Sequence, residues 1–536
     1  MSRQPDPIRE GLARGWRVSR GSQGLPAQVS CDVVIVGSGA GAGITAELLA
    51  KAGLDVLILE EGPLKSSTDF RQLESEAYPT LYQESAARKT ADKAINILQG
   101  RCVGGSTTVN WTSSFRTPEA TLHHWREHFG LLDYVPEALA PWFEQAERRL
   151  NIEPWLVPAN ENNDLLRRGA LSLGYSTAAI KRNVKGCWNL GSCGMGCPTN
   201  AKQSMLVTTL PAALERGARL FTETQATRLE ISSGQVQGLW CQPVQADGTP
   251  LDVPATRITA RHYVVSAGAI NSPALLLRSH APDPHALLGK RTFLHPTVVS
   301  SAMFRQKVEG WSGAPQTVYS DHFLGTQPIT GPMGFKLEVP PLHPVLGAAT
   351  LMGFGAAYSA MLMQFPHVHA LVALLRDGFH PESPGGSVSV RGDGAPVLDY
   401  PLTPFVMDGV RRALLAMAEI QFAAGADTVL PGHEHATPYS RWVLARDEIA
   451  KLPMPPLLTR VVSAHVMGGC GLAGDERRGV VRPDGVHWQV ANLSVHDGSL
   501  FPTSIGANPQ LSIYGIVNRL ATGLARRLAS RDVALV

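Results

Sequence analysis

Residues 31–62 read CDVVIVGSGAGAGITAELLAKAGLDVLILEEG, in the order strand, glycine turn, helix, strand. Asp32 to Val36 is a short β-branched run of the kind found in a parallel strand buried on both faces. Gly37, Gly39 and Ala42 follow in the spacing G-x-G-x-x-A. The first glycine allows a tight turn, the second lets a pyrophosphate approach the backbone, and the small Ala42 lets the helix lie close on the strand. The helix is expected from Ala42 to Ala52, with Gly53 as its stop, and its N-terminal N–H groups face the phosphates. Val56 to Leu59 forms the next strand. Glu60 at its end can accept hydrogen bonds from an adenosine ribose, which favours FAD or NAD over NADP.

At 536 residues the chain is long enough for two or more domains. A net charge of +3 makes no basic field, so nucleic acid is not expected as a partner. The first residues carry arginines but no apolar core, which is not the pattern of an export signal. Seven cysteines in so long a chain, an odd and sparse set, fit a reducing compartment. The expected location is cytoplasmic, with membrane association or export with a partner as alternatives.

Beyond the opening unit, Gly104-Gly105-Ser106 through Asn110 suits a backbone lying directly on a flat or charged ligand. Short helices are expected at Leu122–Phe129 and at 141–150, where Pro141 would occupy the first turn. Another should precede the strand Arg219–Thr222. The run 263–269 reads as a buried strand, with a helix opened by Asn271-Ser272-Pro273. A hairpin is expected around Gly392-Asp393-Gly394, and a long helix from Phe405 to Ala424. No Asp, Glu, Lys or Arg occurs from Val339 to Leu375. By length this is a candidate membrane span. A single crossing would separate the glycine turn from His465, so a buried helix is preferred. An apolar cap touching a membrane surface is the alternative.

These stretches together resemble the glucose–methanol–choline (GMC) oxidoreductases. The match rests on the opening motif, on 104–110, on 268–279, and on His465 through Asn508. The resemblance implies an α/β chain with a Rossmann-type FAD-binding domain and a second, α+β substrate domain of antiparallel sheet under helices. The expected division is 1–303 and 454–536 for the FAD part and 304–453 for the substrate part. It implies FAD held by Gly37, Gly39, Ala42, Glu60, Gly104, Gly105, Ser106, Asn110 and Asp497. Val109 stands where some members carry a tethering histidine, so non-covalent FAD is expected. The segments at 110–111 and 338–344 resemble long-chain alcohol oxidases, and those at 465–470 and 497–509 resemble cholesterol oxidase.

An alcohol oxidation needs a hydride acceptor, which a flavin supplies, and a proton acceptor. His465 is the candidate for the proton, because histidine titrates near neutrality. Asn508 is expected to hold the same hydroxyl as a donor. The substrate would be a bulky or long-chain apolar alcohol, and the acceptor oxygen, a quinone or a cytochrome. Alternatives on the same fold are a lyase or photodecarboxylase, and an FAD electron-transfer subunit. Cys187, Cys193 and Cys197 form C-x5-C-x3-C-P. Such thiolates can hold an iron–sulfur cluster. The spacing resembles the bacterial FAD glucose dehydrogenase, a GMC enzyme in which such cysteines hold a 3Fe–4S cluster and a small subunit accompanies the chain. Three buried thiols or a local disulfide are the alternative.

Overall fold

The structure, a computed structural model, describes residues 5–325 and 328–536. The opening stretch builds the centre of the first sheet. Gln28–Val36 pairs in parallel with Val56–Leu59 on one side and Thr256–Val265 on the other. Arg219–Thr222 and Arg17–Arg20 extend the parallel arrangement outward. Thr224–Ser232 and Gln235–Pro243 add an antiparallel ribbon, and Leu493–Val495 pairs with Thr256–Val265. Val33 to Ile35 and Val56 to Ile58 are fully buried, as strands covered on both faces require.

The helix after the glycine turn runs Ala40–Lys51, and every residue from Gly41 to Ala50 is buried. It packs between the helices Thr209–Glu215 and Gln510–Ala529. This explains its small residues. A Cβ at Gly41 would stand 1.7 Å from the His496 carbonyl oxygen, and one at Gly43 would stand 2.5 Å from the Thr209 hydroxyl. Glu47 is buried on the same helix but is paired with Arg149 and Lys51, which offsets the cost of removing its charge from water.

A second sheet is mostly antiparallel, in the order Ile95–Ile97, Val461–Ser463, Thr297–Met303, Val368–Leu375, Phe335–Glu338, Val318–Ser320, Ala178–Ala179. Thr428–Pro431 also pairs with Thr297–Met303. Four of its strands, Val318–Ser320, Phe335–Glu338, Val368–Leu375 and Thr428–Pro431, come from within 304–453, and the other four come from outside it. The long helix Pro404–Ala423 packs on this sheet through Val410, Leu414 and Met417, and the helix Glu161–Ser172 packs on that helix.

Several expected elements are found with shifted ends: Glu119–Phe129, Thr209–Glu215, Asn271–Arg278, and the hairpin Ser387–Val390 with Pro396–Asp399. The helix expected at 141–150 begins a turn and a half earlier, at Pro136, and Pro141 lies inside it. The charge-free run differs more. It is no single buried helix. It divides into the helices Pro344–Thr350 and Gly355–Met363, a turn, and the strand Val368–Leu375. The strand is buried throughout, but Phe354 is 90% exposed and Met363 79%. Among the described residues no helix is long and apolar enough to cross a membrane. Gly353 and Gly355, both with positive φ, break the helical path between the two helices.

Gly41→Ala should lower the unfolding free energy by about 1–3 kcal/mol, because the obstructing atom is backbone. Gly523→Ala, on an exposed helical face with nothing within 4 Å of the added methyl, should instead raise it by about 1 kcal/mol. Denaturant melts of the two variants beside the natural chain check both signs.

Candidate active site

One cavity of about 700 Å³ runs from the glycine turn of the first sheet to the face of the second. That volume suits a cofactor together with a substrate. At its first end, Gly37 has φ +100, and a Cβ there would stand 2.2 Å from the Ser266 carbonyl oxygen. Glu60 lines the cavity, nearly buried. It accepts from the Ser38 hydroxyl and from Gly62 N at 2.8 Å. Burial raises its pKa to about 7, partly opposed by those two donors.

The loop at 104–110 meets this turn backbone against backbone. Gly104 N donates to Ser38 Oγ at 3.0 Å, and a Cβ on Gly105 would lie 2.8 Å from Gly39 Cα. Both Gly104 and Gly105 have positive φ. The loop then enters a single helical turn, Ser106–Val109. Lys202 fixes its far side. This buried ammonium donates to the carbonyls of Thr108 (2.8 Å), Asn110 (2.7 Å) and Cys193 (2.7 Å). Burial lowers its pKa. Asn110 gives Nδ2 to Gln510 Oε1 at 2.6 Å.

Asp497 lines the same cavity but commits both oxygens to the protein. They accept from Gly268 N, the Ser272 hydroxyl, and Ser499 N and hydroxyl. Its part is therefore to hold the Gly268 turn closed. Burial raises its pKa.

His465 and Asn508 stand together on the lining at the other end. Asn508 Nδ2 donates to Glu338 Oε2 at 3.1 Å, and Gln316 Nε2 donates to the same oxygen at 2.6 Å. Glu338 is fully buried. Desolvation raises its pKa to about 7, against the attraction of Lys336. Glu338 Oε1 and Asn508 Oδ1 are buried without a partner. The His465 ring contacts His295, with Nδ1 to Nδ1 at 3.3 Å. Burial lowers the His465 pKa to about 4, so the ring is neutral at pH 7. Val299, Val372, Leu374, Leu342 and Leu346 make the rest of this end apolar.

Glu338, Gln316 and His295 were given no role by the sequence reading. One signal was available for Glu338. Lys336 and Glu338 stand two apart in an apolar strand, so they share a face and both are buried. A charge pair placed inward in this way is a mark of function. Nothing comparable marked His295.

The structure gives no support to the cluster expected at the three cysteines. Cys187, Cys193 and Cys197 are free, half-buried thiols around a cleft of about 30 Å³. Each sulfur has its own partner: Asn189 N on Cys187, Arg182 on Cys193, Thr199 on Cys197. Among the described residues no three His, Cys, Asp or Glu side chains are arranged to hold a metal ion.

Comparison with known proteins gives two GMC oxidoreductase matches, the N-terminal family profile over residues 78–297 and the C-terminal profile over 381–516. A GMC-type oxidoreductase of Mycobacterium tuberculosis is 32% identical over 501 residues, covering 92% of this chain and 76% of that protein. A long-chain-alcohol oxidase of Arabidopsis thaliana is 29% identical over 510 residues, covering 91% and 68%. A solved formate oxidase variant of Aspergillus oryzae superposes with a TM-score of 0.66 at 15% identity, covering 94% and 99%, a likeness of fold.

Lys202→Met would leave three carbonyls without their shared donor. Hydrogen bonds to a charged group contribute about 1.5–3 kcal/mol each and do not add fully. The variant should lose roughly 2–4 kcal/mol of stability in a denaturant melt.

Proposed function

The chain belongs to the GMC oxidoreductase family, and from that premise we propose that it oxidises a long-chain or bulky apolar alcohol to its aldehyde or ketone. As a member of that family it is an FAD-dependent oxidoreductase of alcohol-type donors. The observation that carries the substrate class is the cavity end beyond the polar pair. Its wall is aliphatic, and its cover comes from a segment without one charged side chain.

The residues fit FAD. Gly39 lines the cavity, and an added Cβ there would meet nothing nearer than Gly105 Cα at 3.9 Å, so its bare backbone leaves room for a phosphate, while Gly37 and Gly105 draw the turn and the loop together. The N-terminus of the helix Ala40–Lys51 offers free N–H groups to a pyrophosphate. Glu60 lies where a ribose would need an acceptor. FAD, when bound, supplies the acceptor for the hydride. Gly104 to Asn110 would support it, with Lys202 and Gln510 keeping that loop rigid. His465 and Asn508 would hold the substrate oxygen, fixing the carbon for transfer. Glu338, ionised, keeps the Asn508 amide turned with Nδ2 toward it. Oxygen is the proposed final acceptor, in keeping with the oxidases among the relatives.

The exposed Phe354 and Met363 extend the reading. Leu346 and Thr350 line the cavity from the helix Pro344–Thr350, and Phe354 follows just beyond it. We propose that this cover rests on an apolar phase such as a lipid surface, from which the alcohol enters without crossing water.

The decisive experiment adds dodecanol to the oxidised holoenzyme without oxygen. The flavin band should bleach within seconds, and His465→Ala or Asn508→Ala should slow it by about 10²-fold or more. A flavin that stays oxidised with every alcohol of a chain-length panel would favour the lyase or electron-transfer reading.

The rate should also rise as pH increases through about 7, as Glu338 ionises, and level off above. In Glu338→Gln that limb should vanish. A limb that persists at the same pH in the variant assigns it to another group. Finally, Phe354→Asp with Met363→Asp should reduce co-sedimentation with phosphatidylcholine vesicles. It should raise KM for dodecanol several-fold and leave KM for butanol unchanged.

A further inference from the structure

Four atoms in a row decide which hydrogen His465 carries. Gly506 N donates to His295 Nε2 at 3.0 Å. Nε2 must therefore hold its lone pair, and the single proton of a neutral His295 ring sits on Nδ1. That Nδ1 lies 3.3 Å from His465 Nδ1, with the rings near perpendicular at 81°. Two N–H groups cannot face each other at that distance, so His465 Nδ1 is the acceptor. The proton of a neutral His465 is then on Nε2. Among the described residues none bonds to that Nε2, and His465 is part of the cavity lining.

We infer that His295 is a positioning residue that locks His465 in its Nε2–H form, so that His465 meets the substrate oxygen as a hydrogen donor. This rests on the alcohol-oxidation reading above and replaces the proton-acceptor part expected of His465 with that of a donor. Burial keeps both rings neutral, lowering the His465 pKa to about 4 and that of His295 well below its ordinary value.

The surroundings hold His295 still. Asp377, fully buried, accepts from Leu294 N and His295 N and from the Tyr400 hydroxyl. Gly506 has φ +75, and a Cβ there would lie 2.9 Å from Arg376 Cδ, so glycine is what lets this N–H aim at the ring. The substrate oxygen would take a hydrogen bond from His465 Nε2, which fixes its position on the cavity wall. In this tautomer His465 does not take the hydroxyl proton, which leaves to water, and the donor stabilises the negative charge left on that oxygen.

The test uses holoenzyme labelled with [15N]histidine, the His465 signals being identified by their loss in His465→Gln. At neutral pH and without substrate, Nε2 should carry the directly bonded proton and Nδ1 should be bare. His295→Leu should show mixed tautomers at His465 and lose about tenfold or more in kcat with KM changed less than about twofold. His295→Asn, whose amide can offer a donor near the Nδ1 place, should recover most of that loss. A proton found on His465 Nδ1 in the natural enzyme overturns the inference, as does an unchanged tautomer and kcat in His295→Leu. Should that variant fail to fold, the spectrum of the natural enzyme decides alone. That spectrum needs no alcohol, so failure of the inference and failure of the proposed substrate class are read separately.

Discussion

Bare backbone meeting bare backbone is the constraint on which the molecule is built. Gly37 lies against the Ser266 carbonyl, Gly41 against the His496 carbonyl, and Gly105 against Gly39. None of these contacts admits a methyl group. They bring three distant parts of the chain to one turn: the segment after the first strand, the loop at 104–110, and the region near 496. Close packing of this kind transmits position, because interiors resist compression. The cavity between the two sheets inherits its shape from it.

The polar groups around that cavity obey a second constraint. A buried carboxylate without donors is too costly to keep, so each has acquired them. Glu60 takes two and Asp497 takes four. Glu338 also takes two, but both fall on one oxygen, and the other is left free. Among the described residues, Glu338 Oε1 and Asn508 Oδ1 are left without a donor where these two side chains meet.

The apolar cover shows how composition and fold diverge. Thirty-seven residues without an acid, lysine or arginine, from 339 to 375, suggest a single environment. Instead the stretch supplies a central strand, part of the cavity lining and an exposed surface. A strand inside a sheet needs apolar residues on both faces, and so does a helix that covers an apolar opening while facing another apolar phase. Hydropathy alone cannot separate these uses.

The dinucleotide unit was legible because its signals are local. A β-branched run, glycines at fixed spacing and an acid after the next strand each constrain their own few residues, and together they specified the parallel core. Elements with strong periodicity and clear stops, such as Pro404–Ala423, were equally plain. Among the site residues, the glycines, Glu60, Asn110, Asp497, His465 and Asn508 were all named, and all but Gly104 and Ala42 line one cavity. The cysteine spacing says which sulfurs are near along the chain and not where each finds its partner. The second sheet depends on pairings between strands far apart in the chain, and the His295–His465 and Glu338–Asn508 pairs on contacts between residues 170 positions apart. Sequence determined the backbone turns, because a missing side chain acts where it stands. Only the tertiary structure decided which side chains pair, His295 with His465 and Glu338 with Asn508, because a hydrogen bond is fixed by both its ends.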